Sequence, residues 1–462
     1  MATYIDVSDV IERQTKNRFQ IMLMFWISIT MLIEGFDNQL QAYTAPKIIQ
    51  EWHLSKQAFG AVPGFFQVGF MIGAVLLGHL GDKVGRRIMI IIGCLMFGVF
   101  TVAGGYTHNL TELVVTRALS AVFLGGAVPN AIALAVEYAP LRHRAIRVAI
   151  MYVCYTLGAA IGGFIAAKLV PAEGWPSIYY LCGWLAIALT AILYLALPES
   201  ARFMVVRNRS REMLAATLRR LSPEMAIPAD AVFTAKTEKK EKSSVVQLFQ
   251  HGRAAKTIPL WVACFFSMIA LQFIANWMPV IFTDSGLAYS YSVIAIGIFQ
   301  TAGSVGTLTS GWLLDRKNGI LFLGIIALAG ASVVIGFQAG MSDAMFLLVL
   351  VAMAGFCVIG TQSSLNALSG VLYPTAMRST GSGWAYGVGR IGAILGPSLG
   401  GFLVAAKLPL SEIFMIIAVP PIFVGAAILT LHKLRPNAVR DEAEHPVGAT
   451  VTAGSAGTEA SV

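Results

Sequence analysis

The chain alternates between long apolar stretches and short polar interruptions. Twelve stretches of about 20 residues carry few charges, and each, as a helix, is long enough to cross roughly 30 Å of hydrocarbon. They are predicted at Phe19–Ala42, Gln57–Leu80, Arg87–Tyr106, Leu113–Val136, Val148–Val170, Ile178–Leu197, Ile258–Phe282, Val293–Leu314, Gly319–Gly340, Ala344–Leu368, Gly381–Ala406 and Ile413–Leu431. Between residues 198 and 257 the pattern breaks into a charged connector, which holds one amphipathic helix candidate, Ser210–Leu221, and the basic run Lys236 to Lys242. The predicted organisation is a polar segment 1–18, a six-helix bundle 19–197, the connector 198–257, a second six-helix bundle 258–432, and a tail 433–462 expected to be disordered. The first eighteen residues lack the apolar core and cleavage site of a secretory signal.

The two six-helix blocks resemble each other. Gly78-xxx-Asp82 recurs as Gly311-xxx-Asp315, Asn130…Tyr138…Pro140 as Asn366…Tyr373…Pro374, and Gly162-Gly163-Phe164 with Lys168 as Gly400-Gly401-Phe402 with Lys407, at offsets of 233 to 239. An even number of spans per block gives both copies the same orientation, as parallel repeats about an axis along the membrane normal. That pseudo-symmetry predicts a central cavity between the halves, exposed alternately to each side as one half rocks against the other. Glycines at small-xxx-small spacing in spans 5 and 11 predict close helix packing.

Composition agrees with a chain dissolved in lipid: 56% hydrophobic, 12% charged, mean hydropathy +0.72. With the amino terminus inside, 27 of the 33 Lys and Arg fall on cytoplasmic segments, so both termini are expected in the cytoplasm. The same asymmetry accounts for the net charge of +9 without a nucleic-acid partner. The five cysteines and seven histidines show no metal-ligand spacing, and no nucleophile–base set points to an enzyme.

Away from the span ends, four charges remain: Glu34 and Asp37 in span 1, Arg117 in span 4 and Arg390 in span 11. A charge at mid-bilayer depth costs roughly 2.5–3.5 kcal/mol even on lenient scales, so each is a functional candidate. Guanidinium binds a carboxylate in a bidentate fork and stays charged, which makes Arg390 the candidate substrate partner and Arg117 either a second one or an ion-pair partner for Glu34 or Asp37. Burial disfavours a charged carboxylate and a nearby guanidinium favours it. A carboxylate whose cation partner changes with conformation can therefore load and release a proton, which is the expectation for Asp37 and Glu34; a permanent ion pair that only packs helices is the alternative. Phe36, Tyr43, Trp277, Phe299, Trp384 and Tyr386 are candidate walls for an aromatic ring, with Gln39, Gln272 and Asn276 able to bond phenolic groups.

Gly78-His79-Leu80-Gly81-Asp82-Lys83-Val84-Gly85-Arg86-Arg87 resembles the loop 2–3 signature of the major facilitator superfamily. Gly78 and Gly85 allow close approach and a tight turn, Asp82 can meet a helix amino terminus or an Arg, and Arg86 and Arg87 stay in the cytoplasm. A gate there is expected to include Glu137, Arg144, Asp315 and Arg378 as well, with ion pairs that latch one conformation. Arg117, Gly125-Gly126, Pro129-Asn130 and Glu137-Tyr138-Ala139-Pro140 resemble span 4 of sugar porters and aromatic-acid carriers, as does Pro198-Glu199-Ser200-Ala201-Arg202. Glu34-Gly35-Phe36-Asp37 is similar to the Asp-Gly-x-Asp of the aromatic acid:proton symporter family, with Glu in place of the first Asp, and Gly389-Arg390-Ile391-Gly392 resembles the same family. The resemblance spans about residues 15–435. It implies an all-α membrane protein of the major facilitator fold in the bacterial inner membrane that imports a small aromatic carboxylate of the benzoate or hydroxybenzoate type with protons and needs no cofactor beyond the proton gradient; a cavity within one chain predicts a monomer. A sugar or polyol porter and a membrane sensor of aromatic acids are the competing readings.

Overall fold

The computed structural model describes residues 4–13, 17–207, 211–222, 228, 232–234, 245–314, 316, 318–340, 343–373, 377–406 and 408–434. Asp315, the 236–242 run, Lys407 and the tail after residue 434 lie outside the described residues. A short strand β1 (Tyr4–Asp6) and helix α1 (Val7–Glu12) precede the first span, which consists of α2 (Arg18–Asn38) and α3 (Leu40–Glu51) broken at Gln39. The second span is α4 (Lys56–Phe59) with α5 (Ala61–Val84); α6 (Arg86–Gly104), α7 (Leu110–Glu137), α8 (Arg144–Glu173) and α9 (Pro176–Ala196) complete the first half. The connector holds α10 (Ala201–Val206), α11 (Arg211–Leu221) and strand β2 (Val232–Thr234). The second half is α12 (Ala254–Asp284), α13 (Tyr289–Leu314), α14 (Gly319–Gly340), α15 (Ala344–Leu372), α16 (Arg378–Ala405) and α17 (Leu410–Lys433).

All twelve candidate spans are present, and most run past the apolar stretches that mark them. Backbone hydrogen bonding continues into the polar ends, so the first span reaches Glu51 rather than Ala42. Twelve spans bring the chain back to the face on which it starts, the connector face; the opposite side is the far face. The amino-terminal segment is more ordered than its polar composition predicts. β1 pairs in parallel with β2 of the connector, Ile5, Val7, Val10 and Ile11 are buried, and the Asn17 amide donates to the carbonyls of Arg220 and Leu221, capping the end of α11. Two runs of three and six residues are too short to stand out by periodicity alone.

Within the first half, glycine sets the spacing. A Cβ built on Gly35 would fall 1.8 Å from the Tyr155 carbonyl oxygen, and one on Gly158 would fall 1.8 Å from that of Leu32, so α2 and α8 touch backbone to backbone. This contact holds the α2 acids in register with α8. Gly35→Ala forces the helices apart and is expected to cost about 1–3 kcal/mol, read as a lower thermal midpoint in detergent.

The halves meet at the far face through two sets of contacts related by the internal repeat. Lys56 pairs with Asp284, and Lys47 lies 5.6 Å from the ring centre of Tyr289. Asp284 is 237 residues after Lys47 and Tyr289 is 233 after Lys56, so an ion pair on one side of the pseudo-axis faces a cation–π contact on the other. Two glycine seams lie beneath these clasps. Gly60 meets the Pro397 carbonyl and Gly401, while Gly163 meets Val293 and Gly297. Tyr289 donates to the Tyr43 carbonyl at 2.7 Å and Phe59 stands edge-on to Trp277. An exposed ion pair is worth about 0.2–1 kcal/mol, so Lys56→Glu is expected to speed maleimide labelling of a cysteine placed at Phe59 by up to about fivefold. Adding Asp284→Lys should slow it again.

Candidate functional site

Helix geometry sends the two acids of α2 into different surroundings. Asp37 is fully buried and saturated: Arg117 Nη1 donates to its Oδ1 at 2.9 Å, Nη2 to its Oδ2 at 3.0 Å and to its backbone carbonyl at 2.8 Å, and Thr101 Oγ1 donates to Oδ1 at 2.7 Å. Arg117 also donates to Gln41 Oε1 and lies between the rings of Phe66 and Tyr179, 4.7 and 5.6 Å from their centres. Both side chains of the pair are 0% exposed. Arg117 is thus closed inside the first half and is not brought to Arg390; of the two roles predicted for it, the structure favours ion-pair partner. A buried pair stripped of one partner is strongly destabilised.

Glu34, one helical turn earlier, is 3% exposed, and its Oε2 has no hydrogen-bond partner. It lies within the field of Arg390 and Asp37. Arg390, half-buried on α16, reaches across to the first half. Its Nη1 donates to Gln67 Oε1 at 3.3 Å, its Nη2 bonds the Tyr386 hydroxyl, and its guanidinium covers the Phe70 ring at 4.4 Å. Among the described residues these partners are all neutral. Tyr152 and Tyr386 are exposed, and Tyr152 and Tyr155 lie within the field of Arg390 and Glu34. A Cβ added at Gly383 or Gly387, on the same face of α16 as Arg390, would meet open space. Open space thus flanks this part of α16, while the far-face contacts close the junction of the halves at the other end.

Other predicted wall residues divide. Gln39 and Asn276 are buried in the first spans of the two halves, Gln272 stands one turn from Asn276, and Phe36 packs on Gly162. Tyr43, which donates to the Ala159 carbonyl, and Trp277, which donates to the Pro397 carbonyl at 2.8 Å, belong to the far-face closure. Phe299 is wholly buried, with its backbone against Gly355 of α15. Trp384 is not brought to the chamber: it stacks on Trp261 at 6.0 Å and shares the outer stripe of α16 with exposed Ile391, Leu395 and Phe402. Gln67, Tyr152 and Tyr155 escape sequence reasoning. A polar residue in mid-span is the signal for Gln67, which also has Gln300 233 residues on; the tyrosines read as interfacial anchors.

At the connector face, Arg86 pairs with Glu137 at 2.7 Å and with Asp82 at 3.3 Å. Asp82 meets an Arg rather than a helix end. The amino terminus of α6 is instead capped by Glu199, whose Oε1 accepts from Arg86 N at 3.0 Å and Arg87 N at 3.2 Å. Gly85 adopts φ +122°, and a Cβ there would lie 2.4 Å from Glu199 Oε2, so both backbone and space require glycine. Gly78 sits opposite Pro129, 3.4 Å from where its Cβ would be. Arg87 donates to the Tyr194 carbonyl, Ser200 to Glu137, and Arg144 to the Ala139 carbonyl at 3.2 Å. Tyr138 donates to the Glu199 carbonyl, and burial pushes its phenol up from its ordinary value. Arg378 is exposed at the start of α16.

A twelve-span bundle of two like halves around a charged chamber defines a membrane carrier, and the comparisons agree. Residues 27–396 match the model of the Major Facilitator Superfamily. The chain is similar to the gallate transporter of Pseudomonas putida, 34% identical over 426 residues, covering 92% of this chain and 94% of that one. It is 32% identical to the 4-hydroxybenzoate transporter PcaK of Pseudomonas putida, over 90% and 93% of the two chains, and 29% identical to a benzoate transport protein of Acinetobacter baylyi, over 94% of each. In fold it resembles a bacterial homologue of the human lysosomal transporter Spinster in an inward-facing, occupied conformation, with a TM-score of 0.72, 14% identity, and 92% and 99% coverage. The chain belongs to the major facilitator superfamily, in the aromatic-acid family of these relatives. It is a multi-pass membrane protein of a transporter family, not an enzyme.

Arg117→Met leaves the Asp37 charge buried alone and is expected to lower stability by about 3–5 kcal/mol. Arg117→Met with Asp37→Leu should recover most of that loss in thermal unfolding of the detergent-solubilised protein.

Proposed function

We propose that the protein imports a small aromatic carboxylate together with a proton by alternating access across the bacterial inner membrane. One observation carries the reading: a buried carboxylate with an unpartnered oxygen, Glu34, within the field of a half-buried guanidinium, Arg390, that is itself held by neutral partners across the two halves. Arg390 can exchange its bonds to Gln67 and Tyr386 for a bidentate pair with the substrate carboxylate. Phe70 and Tyr386 then flank the ring, together with Tyr152 and Tyr155. The printed functions of the relatives support an aromatic acid over a sugar.

The substrate's charge and the charge of Glu34 compete for Arg390. When the anion takes the guanidinium, Glu34 loses its counter-charge and binds a proton; when the anion leaves, Arg390 is free to favour the carboxylate and the proton departs. Asp37, with every oxygen bonded, acts as framework. One proton with a monoanion moves no net charge, whereas a second proton would add about 2.3 kcal/mol per 100 mV. Basic residues concentrate on the connector face, so positive-inside logic puts that face and both termini in the cytoplasm, and the chamber opens inward. The connector-face set of Arg86, Glu137, Asp82 and Glu199 then serves as the gate that rearranges when the chamber opens outward.

The test is uptake of a labelled benzoate-type acid into proteoliposomes with an imposed pH gradient. Arg390→Gln is expected to weaken substrate affinity by about 10- to 100-fold, the worth of a charged hydrogen-bond pair. Glu34→Gln should keep counterflow exchange but lose accumulation driven by the gradient. Undiminished gradient-driven accumulation by Glu34→Gln would remove Glu34 from coupling, and glucose competing as well as the acids would favour a sugar porter.

A further inference from the structure

We infer that Gln67 braces the empty carrier through Arg390, and that a bound anion releases the brace, so that the protein exchanges one aromatic acid for another faster than it takes one up alone. This rests on the aromatic-carboxylate reading above. Gln67, on α5 of the first half, is 2% exposed, and its Oε1 accepts from Nη1 of Arg390, on α16 of the second half, at 3.3 Å. Three residues on, and so on the same side of α5, the buried ring of Phe70 lies 4.4 Å from that guanidinium. One charge of the second half is thus fastened to two side chains of the first. The bond closes a seam that begins at the far face: Gly60 against Pro397 and Gly401, then Gly64, whose Cβ would fall 2.9 Å from Ser398 Oγ, then Gln67 against Arg390.

The repeat-related seam, α8 against α13, is built differently. Gly163 meets Gly297, Ser290 donates to the Ala167 carbonyl at 2.9 Å, and the hydroxyls of Thr156 and Ser304 bond each other. At the repeat's offsets of 238 and 233 residues, Tyr152 takes the place of Arg390 and Gln300 that of Gln67. Among the described residues the polar contacts of that seam are neutral, and an anion has no charge there to take. The α5 seam is different, because its guanidinium is the group that the substrate binds. Nη1 is spent on Gln67 and Nη2 on Tyr386, so a carboxylate that takes the fork across both nitrogens displaces both partners. A ligand shifts a conformational equilibrium only through a difference in what it meets in the two states, and here the difference is a named bond between the halves. The loaded carrier has lost that bond before the far face opens. The empty one has to break it unaided, and a hydrogen bond to a charged group is strong enough to slow that return about tenfold.

The experiment measures steady uptake of labelled 4-hydroxybenzoate into right-side-out membrane vesicles, empty or preloaded with the unlabelled acid, under the same pH gradient. Preloading is expected to raise the rate about tenfold in the unaltered protein and about twofold or less in Gln67→Leu, which returns empty without that bond to break. Gln67→Leu should also bind the acid several-fold more tightly, since Arg390 no longer gives up a partner; a residue that only packed the seam would not tighten binding when truncated. Thr156→Val, which removes the hydroxyl bond of the other seam, should keep the full stimulation. In purified protein carrying Phe59→Cys, the acid should speed maleimide labelling at the far face several-fold, and adding Gln67→Leu should give that speed without the acid. The inference falls if preloading does not stimulate uptake, if Gln67→Leu keeps the stimulation, if Thr156→Val loses it equally, or if the acid fails to speed labelling. Should Gln67→Leu fail to fold, the effect of the acid on Phe59→Cys decides. Uptake without stimulation overturns this inference alone; vesicles that take up none of the acid overturn the aromatic-carboxylate reading beneath it.

Discussion

Three residues of helix separate a carboxylate with every oxygen bonded from one with an oxygen left over. At 3.6 residues per turn, Asp37 and Glu34 lie on neighbouring parts of one face of α2, about 60° apart, and what separates them is the partners each meets. Asp37 turns into the first half, where Arg117 and Thr101 satisfy it. Glu34 is left with an unpartnered oxygen, within the field of Arg390 of the other half. The sealed pair buries two charges, and that cost is offset by the two guanidinium bonds and the Thr101 hydroxyl on the carboxylate and by the rings of Phe66 and Tyr179 around Arg117, whose Nε is left without a partner. Gly35, lying between the two acids, lets α8 approach closely enough to hold this division in place.

The duplicated backbone gives matching scaffolds, and the substitutions on them make the protein asymmetric. At the far face, equivalent positions carry an ion pair on one side and a lysine over a tyrosine on the other. The glycine seams beneath are nearly interchangeable. Charge is unequal deeper in: the first half holds Glu34, Asp37 and Arg117, whereas the second contributes Arg390. A chamber between like halves with unlike charges can bind an anion with one half and manage a proton with the other, so that moving the halves changes which partner each charge sees.

Much of this was legible in the residues. Twelve apolar runs, the repeat, the connector and the intramembrane charges all carry strong signals, since a charge in hydrocarbon is rare enough to mark itself. The choice Arg117 makes between Glu34 and Asp37 was not legible, because it depends on which face of α7 meets α2. Trp384 illustrates another limit: an aromatic on a span reads the same whether it faces a chamber or lipid, and only the stripe of Ile391, Leu395 and Phe402 places it outside. Glu199 as the cap of α6 needed the fold, since 112 residues separate it from Arg87. The pairing of β1 with β2 was hidden by its length, three residues a side.

Proton uptake on binding tests the coupling most directly. Substrate anion is added to the purified protein in weakly buffered detergent solution at neutral pH, and the proton change is read with an indicator dye. The account predicts close to one proton taken up per anion bound by the unaltered protein and by Arg117→Met/Asp37→Leu, and none by Glu34→Gln. Equal uptake with and without the Glu34 carboxylate would contradict it.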